Sequence, residues 1–241
     1  MERAEWLKQM RAKAEAAYDQ MSPDYWVRLG LYPNETHLEY LHKFLARLPP
    51  HSTLLSAGCG AGRYDGILLE AGHHVVGIDQ SAGMLARARE RFPAARYQKM
   101  GLQEMDFREA FDGAICIDAM EHVCPEDWPG ILRGFHEALK PGGVLYFTME
   151  PGEAGEVEQA YERAKAQGLP VVYGEVADRV DEAEEQAKTA GIAALSGELL
   201  SGATYHYHPS LEQVRAWLAG AGLAIEEEGT GTWYEHFVVS R

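Results

Sequence analysis

The chain is poor in cysteine, short of basic residues and without any long apolar run. Only three cysteines, Cys59, Cys116 and Cys124, occur in 241 residues. An odd, small number with no close metal-type spacing argues against a disulfide framework and suits a reducing cytoplasm. No stretch approaches the roughly eighteen consecutive apolar residues of a membrane span, and residues 1–20 mix charged and apolar side chains throughout. The sequence therefore reads as untargeted, cytoplasmic and without a membrane span. Lysine and arginine number 22 against 37 acids, a formal charge of −15. Such a charge repels phosphate backbones and anionic lipid unless a local basic patch overrides it, and no such patch is present. Arg87, Arg89 and Arg91 alternate with alanine and glutamate, as on a solvated helix face. Nucleic acid is set aside as a partner, and there is no internal repeat or low-complexity tract.

What is there begins with an amphipathic helix. Trp6, Leu7, Met10, Ala14, Ala17, Tyr18 and Met21 recur at three- and four-residue steps over 5–21, with Ser22-Pro23 as its stop. A second helix follows Pro33-Asn34, carries Leu38, Leu41, Phe44 and Leu45 on one face, and ends before Pro49-Pro50. From there strands and helices alternate: strand 53–57, helix 62–71, strand 74–78, helix 82–91, strand 95–98, strand 112–117, helix 127–139, strand 143–149. Apolar strands alternating with helices imply a parallel sheet covered on both faces, a doubly wound α/β core.

Residues 151–200 break the alternation, with eleven acids against four bases. We read 151–205 as an inserted helical lid. Regular structure resumes at "SLEQ", a capping box at Ser210 ahead of Val214, Trp217 and Leu218. Two strands near 223–228 and 232–239, joined across "EGTG", complete the chain. The resulting division is a helical cap over 1–50, a cofactor-binding core over 51–150, the lid over 151–205, and a C-terminal part over 206–241 that completes the core.

The stretch "LLSAGCGAGRYDG", residues 54–66, sets Gly58, Gly60 and Gly62 directly behind an apolar strand, and Asp79 follows in "VVGIDQS". Glycines here let a cofactor lie against the backbone. In the dinucleotide fingerprint G-x-G-x-x-G the third glycine packs the helix against the strand; Arg63 occupies that slot and Gly62 falls one residue early. That disfavours a nicotinamide or flavin dinucleotide. S-adenosylmethionine, which has no phosphate, needs only close backbone approach.

Taken with "VVGIDQSAGMLARARE", "FDGAICIDAMEHV" and "ALKPGGVLYFT" in that order, the loop resembles the motifs of class I S-adenosylmethionine-dependent methyltransferases. The resemblance covers roughly 52–149 and is to the small-molecule branch that includes the ubiquinone and menaquinone methyltransferases. It implies a Rossmann-like, mostly parallel seven-stranded sheet with N-terminal helices, closed by one antiparallel strand. It also implies S-adenosylmethionine as cofactor, with S-adenosylhomocysteine as product, and a monomer or homodimer acting on a small-molecule methyl acceptor. Carried over by position, Gly58, Gly60 and Gly62 would surround the methionyl and ribose parts, with Arg63 following. Asp79 would accept from both ribose hydroxyls, with Gln80 beside it, and Met84 would flank the adenine. Gly101 stands where the family often has an acid near the adenine amine, leaving the Leu102 backbone to read the base edge. Asp118 and Ala119 would line the methionine end. Ser56 stands where the first motif commonly has an acid, so two charge-assisted contacts, each worth about 1.5–3 kcal/mol, are missing from the pattern.

Methyl transfer can gain much of its rate from positioning and exclusion of water, and a base helps only where the acceptor must lose a proton. His122, in "MEHV", is the leading residue for that role, either as a base or as a polar pocket wall. In "TYHYHPS" His206 and His208 share one face of an extended strand. No cysteine or acid stands at a matching spacing, so they are read as substrate-wall or structural histidines rather than as a metal site, and no metal is assigned. Tyr18, Tyr25 and Trp26 precede the core, where relatives fold a helical segment over the cofactor. Trp233 and His236 in "TWYEHF" are the remaining substrate-side residues. The resulting expectation is methylation of a small, partly apolar metabolite, O-transfer ahead of N-, C- or S-transfer. The rivals are an NAD(P)-dependent oxidoreductase and a non-catalytic cofactor-binding regulatory protein. No "NPPY"-type motif of nucleic-acid amino-methylating enzymes is present.

Overall fold

The computed structural model describes residues 2–30, 34–152, 198–201 and 204–241. The lid reading of 151–205, including its helices and the arm "LPVVYGEV", falls almost wholly outside these residues. The N-terminal helix α1 runs over Arg3–Tyr25 and continues as one wider turn, Trp26–Gly30. It passes through Pro23 rather than stopping at Ser22. Proline lacks the N–H that would pair with the Asp19 carbonyl, and the Ser22 hydroxyl donates to that carbonyl instead at 2.9 Å. Helix α2, Glu35–Leu45, is capped by Asn34, whose side chain accepts from the N–H groups of Thr36 and His37.

The core follows the expected alternation: β1 Thr53–Ala57, α3 Asp65–Glu70, β2 His74–Asp79, α4 Ala82–Arg91, β3 Arg96–Lys99, β4 Phe111–Cys116, α5 Trp128–Ala138 and β5 Leu139–Met149. Helix α3 starts three residues later than expected because Gly60 and Gly62, at φ of +53° and +82°, hold the loop out of helical geometry. A two-stranded ribbon, β6 Glu198–Ser201 with β7 Thr204–Tyr207, precedes α6, Leu211–Ala221. Ser210 caps α6 by accepting from the Gln213 N–H, as its capping box predicts. The last pair is β8 Ala224–Thr230 and β9 Glu235–Ser240, so Gly229 and Thr230 belong to β8 and the turn lies at 231–234, later than expected.

The main sheet has seven strands in the order β3-β2-β1-β4-β5-β9-β8, with β9 antiparallel to both neighbours and the other pairs parallel. The expected Rossmann-like sheet is thus borne out. The strand order reverses between β1, which leads outward to β2 and β3, and β4, which leads the other way to β5. A crevice opens there beyond the carboxyl ends of the strands. One apolar layer, including Trp128, Phe135, Phe147 and Phe237, packs on one face of the sheet; Leu41, Phe44, Leu68 and Tyr146 pack on the other. Among the described residues no helix is long and apolar enough to cross a membrane.

Helix α1 is tied across the crevice at both ends. Its Arg3, almost fully buried, bridges Glu126 before α5 and Glu198 of β6. Near its other end the Asp19 carboxylate accepts from the Ser81 hydroxyl and from the Gly83 N–H, so it supplies a second cap to α4. A Cβ at Gly83 would stand 2.7 Å from the Ser22 hydroxyl, and this glycine is what lets the two helices approach.

Candidate functional site

A cleft of about 770 Å³, open mouth included, lies at the reversal point under α1, within the size range of small-molecule sites. One wall is the loop after β1. Gly58 has φ +64°, and a Cβ there would lie 2.6 Å from the Ala119 Cβ, so only glycine lets this loop pass the turn after β4. Gly60 also has positive φ, and a Cβ on it would meet nothing within 4 Å; it would project into open space. Asp79, at the end of β2, accepts from the Gly60 N–H at 2.9 Å through one carboxylate oxygen and from the Ser81 N–H at 2.8 Å through the other. Each oxygen keeps a further lone pair. Burial raises the Asp79 acid, and the two backbone donors oppose that rise.

Gln80, Met84, Gly101, Leu102, Asp118 and Ala119 line the same cleft, as do Tyr18, Tyr25 and His122. The Gly101 N–H donates to the Glu104 carboxylate at 2.7 Å, which fixes the short turn Leu102–Glu104 along the wall. Arg11, Met100, Gln103, Val123 and Asp127 also line it and were not anticipated. Arg11 pairs with Asp127 at 2.8 Å; the amphipathic pattern of α1 drew attention to its apolar face and passed over the polar residue beside it.

His122 has a defined tautomer. Its Nδ1 stands 3.1 Å from the Tyr205 carbonyl, which can only accept, so Nδ1 carries the proton. Nε2 is then a lone pair, and it accepts from the Tyr18 hydroxyl at 2.7 Å. Burial lowers the His122 pKa below the ordinary 6.5 and raises that of the Tyr18 hydroxyl. At neutral pH the pair is a neutral tyrosine donating to a neutral imidazole.

The other residues that the sequence pattern singles out lie elsewhere. Ser56 is buried in β1, lines a smaller cavity with Arg63 and Tyr64 behind the glycine loop, and its hydroxyl lowers the acid of Asp65. Arg63 also faces that cavity, pairing with Asp118 at 2.8 Å and donating to the Leu29 carbonyl at 2.7 Å. Gly62 lines neither; a Cβ on it would strike Phe92. Trp26 is drawn away by Arg91, whose guanidinium lies 3.7 Å from its ring centre, and by Phe92. Trp233 is 79% exposed on the turn before β9, and His236 is fully buried, stacked with Tyr40 and Tyr146. In β9 the alternation puts His236 on the α2 side of the sheet, away from the cleft. His206 packs edge-on against His122 with ring centres 4.6 Å apart, and His208 meets Glu150 at 2.9 Å. Burial lowers the His206 pKa to about 4.

The glycine loop, the acid at the end of β2 and the apolar Met84 wall all open on one cleft. Residues 54–143 match the model of the family described as "Methyltransferase domain". By sequence these residues are similar to methyltransferase domains, and the fold is one shared with S-adenosylmethionine-dependent methyltransferases. The chain is 34% identical over 128 residues to a malonyl-[acyl-carrier protein] O-methyltransferase from Pectobacterium atrosepticum, covering 50% of this chain and 49% of that protein. The chain thus spans about half the length of the curated relatives it matches. In fold it resembles a 1,6-didemethyltoxoflavin-N1-methyltransferase from Burkholderia thailandensis, solved with S-adenosylhomocysteine: TM-score 0.64, 17% identity, 97% of this chain and 89% of that one. An S-adenosylmethionine-dependent methyltransferase from Methanosarcina mazei matches at TM-score 0.61 and 17% identity, over 88% of this chain and 98% of that one. The cleft suits S-adenosylmethionine on its own chemistry. It offers the open space at Gly60 and the spare acceptor capacity of Asp79, and among the described residues the one arginine or lysine lining it, Arg11, is paired with Asp127.

Proposed function

We propose that the protein is a methyltransferase that uses S-adenosylmethionine to methylate an oxygen atom of a small, partly apolar metabolite. The observation that carries this reading is the continuity of one cleft from Asp79 and Gly60 to the Tyr18–His122 pair. Asp79 would accept from the ribose hydroxyls, the Gly58–Gly60 backbone would face the methionyl part, and Met84, Gly101 and Leu102 would hold the adenine. S-adenosylmethionine, when bound, supplies a methyl group already activated as a sulfonium substituent. What is left to the protein is to orient the acceptor, exclude water and manage one proton.

The Tyr18–His122 geometry favours an acceptor hydroxyl, which must lose its proton as it is methylated. The acceptor proton passes to the Tyr18 oxygen as the Tyr18 proton moves to His122 Nε2, while the Tyr205 carbonyl holds Nδ1–H and keeps Nε2 aimed at Tyr18. The O-methyltransferase named among the relatives is consistent with oxygen as the receiving atom.

Calorimetry with S-adenosylhomocysteine on the purified protein tests the cofactor. Binding is expected, and Asp79→Ala should weaken it about 10- to 100-fold, since charge-assisted hydrogen bonds of about 1.5–3 kcal/mol are lost. Binding of NADH with no binding of S-adenosylhomocysteine would overturn the proposal in favour of an oxidoreductase. Cofactor binding without turnover of a broad panel of phenols, carboxylic acids and alcohols would replace it with a non-catalytic, cofactor-sensing role.

A further inference from the structure

The sequence offers His206 and His208 no acid at a metal-binding spacing, but the fold does. Glu150, which directly follows β5, stands beside them, and one ligand atom from each of the three lies within 4.8 Å of the others. His208 Nε2 is 2.9 Å from Glu150 Oε2, yet it is buried and makes no hydrogen bond of acceptable geometry among the described residues. A 2.9 Å contact of this kind is by itself an ordinary histidine–glutamate pair; what makes a cation site of it is the second imidazole, His206, which brings a third donor atom to the same point. The three residues are also held in place from behind. The Gly152 N–H donates to the Pro209 carbonyl at 2.9 Å, and a Cβ at Gly152 would fall 2.3 Å from the His208 carbonyl, so the end of β5 is fastened against the end of β7. Thr204 Oγ1 lies 3.1 Å from His206 Nε2 and orients that ring.

We propose that Glu150, His206 and His208 form a binding site for a divalent transition-metal ion. Two imidazoles and one carboxylate are the ligand set of zinc and ferrous sites that keep positions open for water or substrate. Ligands at about 2.0–2.2 Å from such an ion stand roughly 3.2–3.6 Å from one another, so the observed spread closes with small side-chain rotations. Magnesium and calcium, which prefer oxygen ligands, do not suit a site with two nitrogens in three. The ion would sit one ring away from the cleft, because His206 packs against His122, which lines it. The site stands independently of the methyltransferase reading, which bears only on what the ion would do for an acceptor.

The test uses untagged, chelator-treated full chain, titrated with Zn²⁺ by calorimetry and with Co²⁺ by visible absorption. One equivalent of either ion is expected, with cobalt d–d bands of a nitrogen- and oxygen-ligated site. His206→Ala and Glu150→Gln should each weaken binding by about 100-fold or more, beyond the 10- to 100-fold typical of residues that merely support a ligand. Both variants should keep wild-type affinity for S-adenosylhomocysteine, which checks that they fold. No bound Zn²⁺ or Co²⁺, affinity unchanged in both variants, or a preference for Mg²⁺ would overturn the site. Loss of S-adenosylhomocysteine binding in the wild type would instead sink the proposed function and leave the metal site standing.

Discussion

Replacing Asp65 by asparagine should stabilise the protein at neutral pH and leave it unchanged in acid. Asp65 opens α3 directly behind the glycine loop and is fully buried. Its Oδ2 accepts from the Tyr97 hydroxyl at 2.8 Å, while its Oδ1 has no hydrogen-bond partner of acceptable geometry among the described residues. Burial pushes its pKa from 3.8 up to about 6, against the opposing help of the Ser56 and Tyr97 hydroxyls. The folded state therefore binds this proton more tightly than the unfolded chain. The stability it contributes is fully present below pH 3.8 and is lost as pH rises through about 6. A change of that size corresponds to about 3 kcal/mol. Asparagine keeps the shape and an acceptor for Tyr97, its amide can donate to Ser56, and it never ionises. Urea unfolding of both proteins from pH 3 to 8 should show equal stability at the acid end. By pH 7 the variant should lead by about 3 kcal/mol, or about 6–12 °C in Tm for a chain of this length. Asp118, also raised to about 6, and Asp19, lowered by Ser81, titrate in both proteins and cancel in the difference. A difference that does not vary with pH, or a wild type more stable at pH 7, would refute the reasoning.

Three further outcomes are expected. Arg3→Met should destabilise the protein by about 3–5 kcal/mol in urea, because it removes the cation that faces the fully buried Glu198 carboxylate; adding Glu198→Gln should recover part of that loss. Gly58→Ala should cost more stability than Gly60→Ala. Both carry the left-handed penalty of about 1–2 kcal/mol, but only the first drives a Cβ into Ala119, and thermal unfolding of the pair checks the order. Tyr18→Phe and His122→Ala should each lower kcat about 100-fold or more with little change in S-adenosylhomocysteine affinity. Because burial holds His122 below 6.5, wild-type kcat should be flat through neutral pH and fall only on the acid side of that value.

The central alternation was legible because β1, β2, β4 and β5 are built on short apolar runs bounded by glycine, proline or charge, while β3, Arg96–Lys99, is polar; α4 matches its expected bounds residue for residue. Local pattern misled where a distant or side-chain group supplied what the backbone lacked. Ser22 bridges the carbonyl that Pro23 abandons, so a helix stop became helix interior. The missing acid at position 56 has a counterpart that no motif alignment would pair with it, since Asp65 brings its carboxyl to Ser56 from the next helix. Trp233 and His236, three positions apart in one aromatic stretch, separate into solvent and core, because Trp233 stands on the turn before β9 while His236 lies within β9, where the pairing with β5 turns it toward α2.

By itself the sequence determined the order of elements, the glycine loop that can approach a cofactor, and the acid that follows it, since these depend on backbone conformation and on neighbours a few residues away. The tertiary structure alone decided that Tyr18 meets His122, 104 residues on, that Asp19 caps α4, and that Glu150 completes a triad with His206 and His208. Those meetings are set by how helices lie across a twisted sheet and by which strand ends converge at its reversal point, and no short-range period in the chain encodes that convergence.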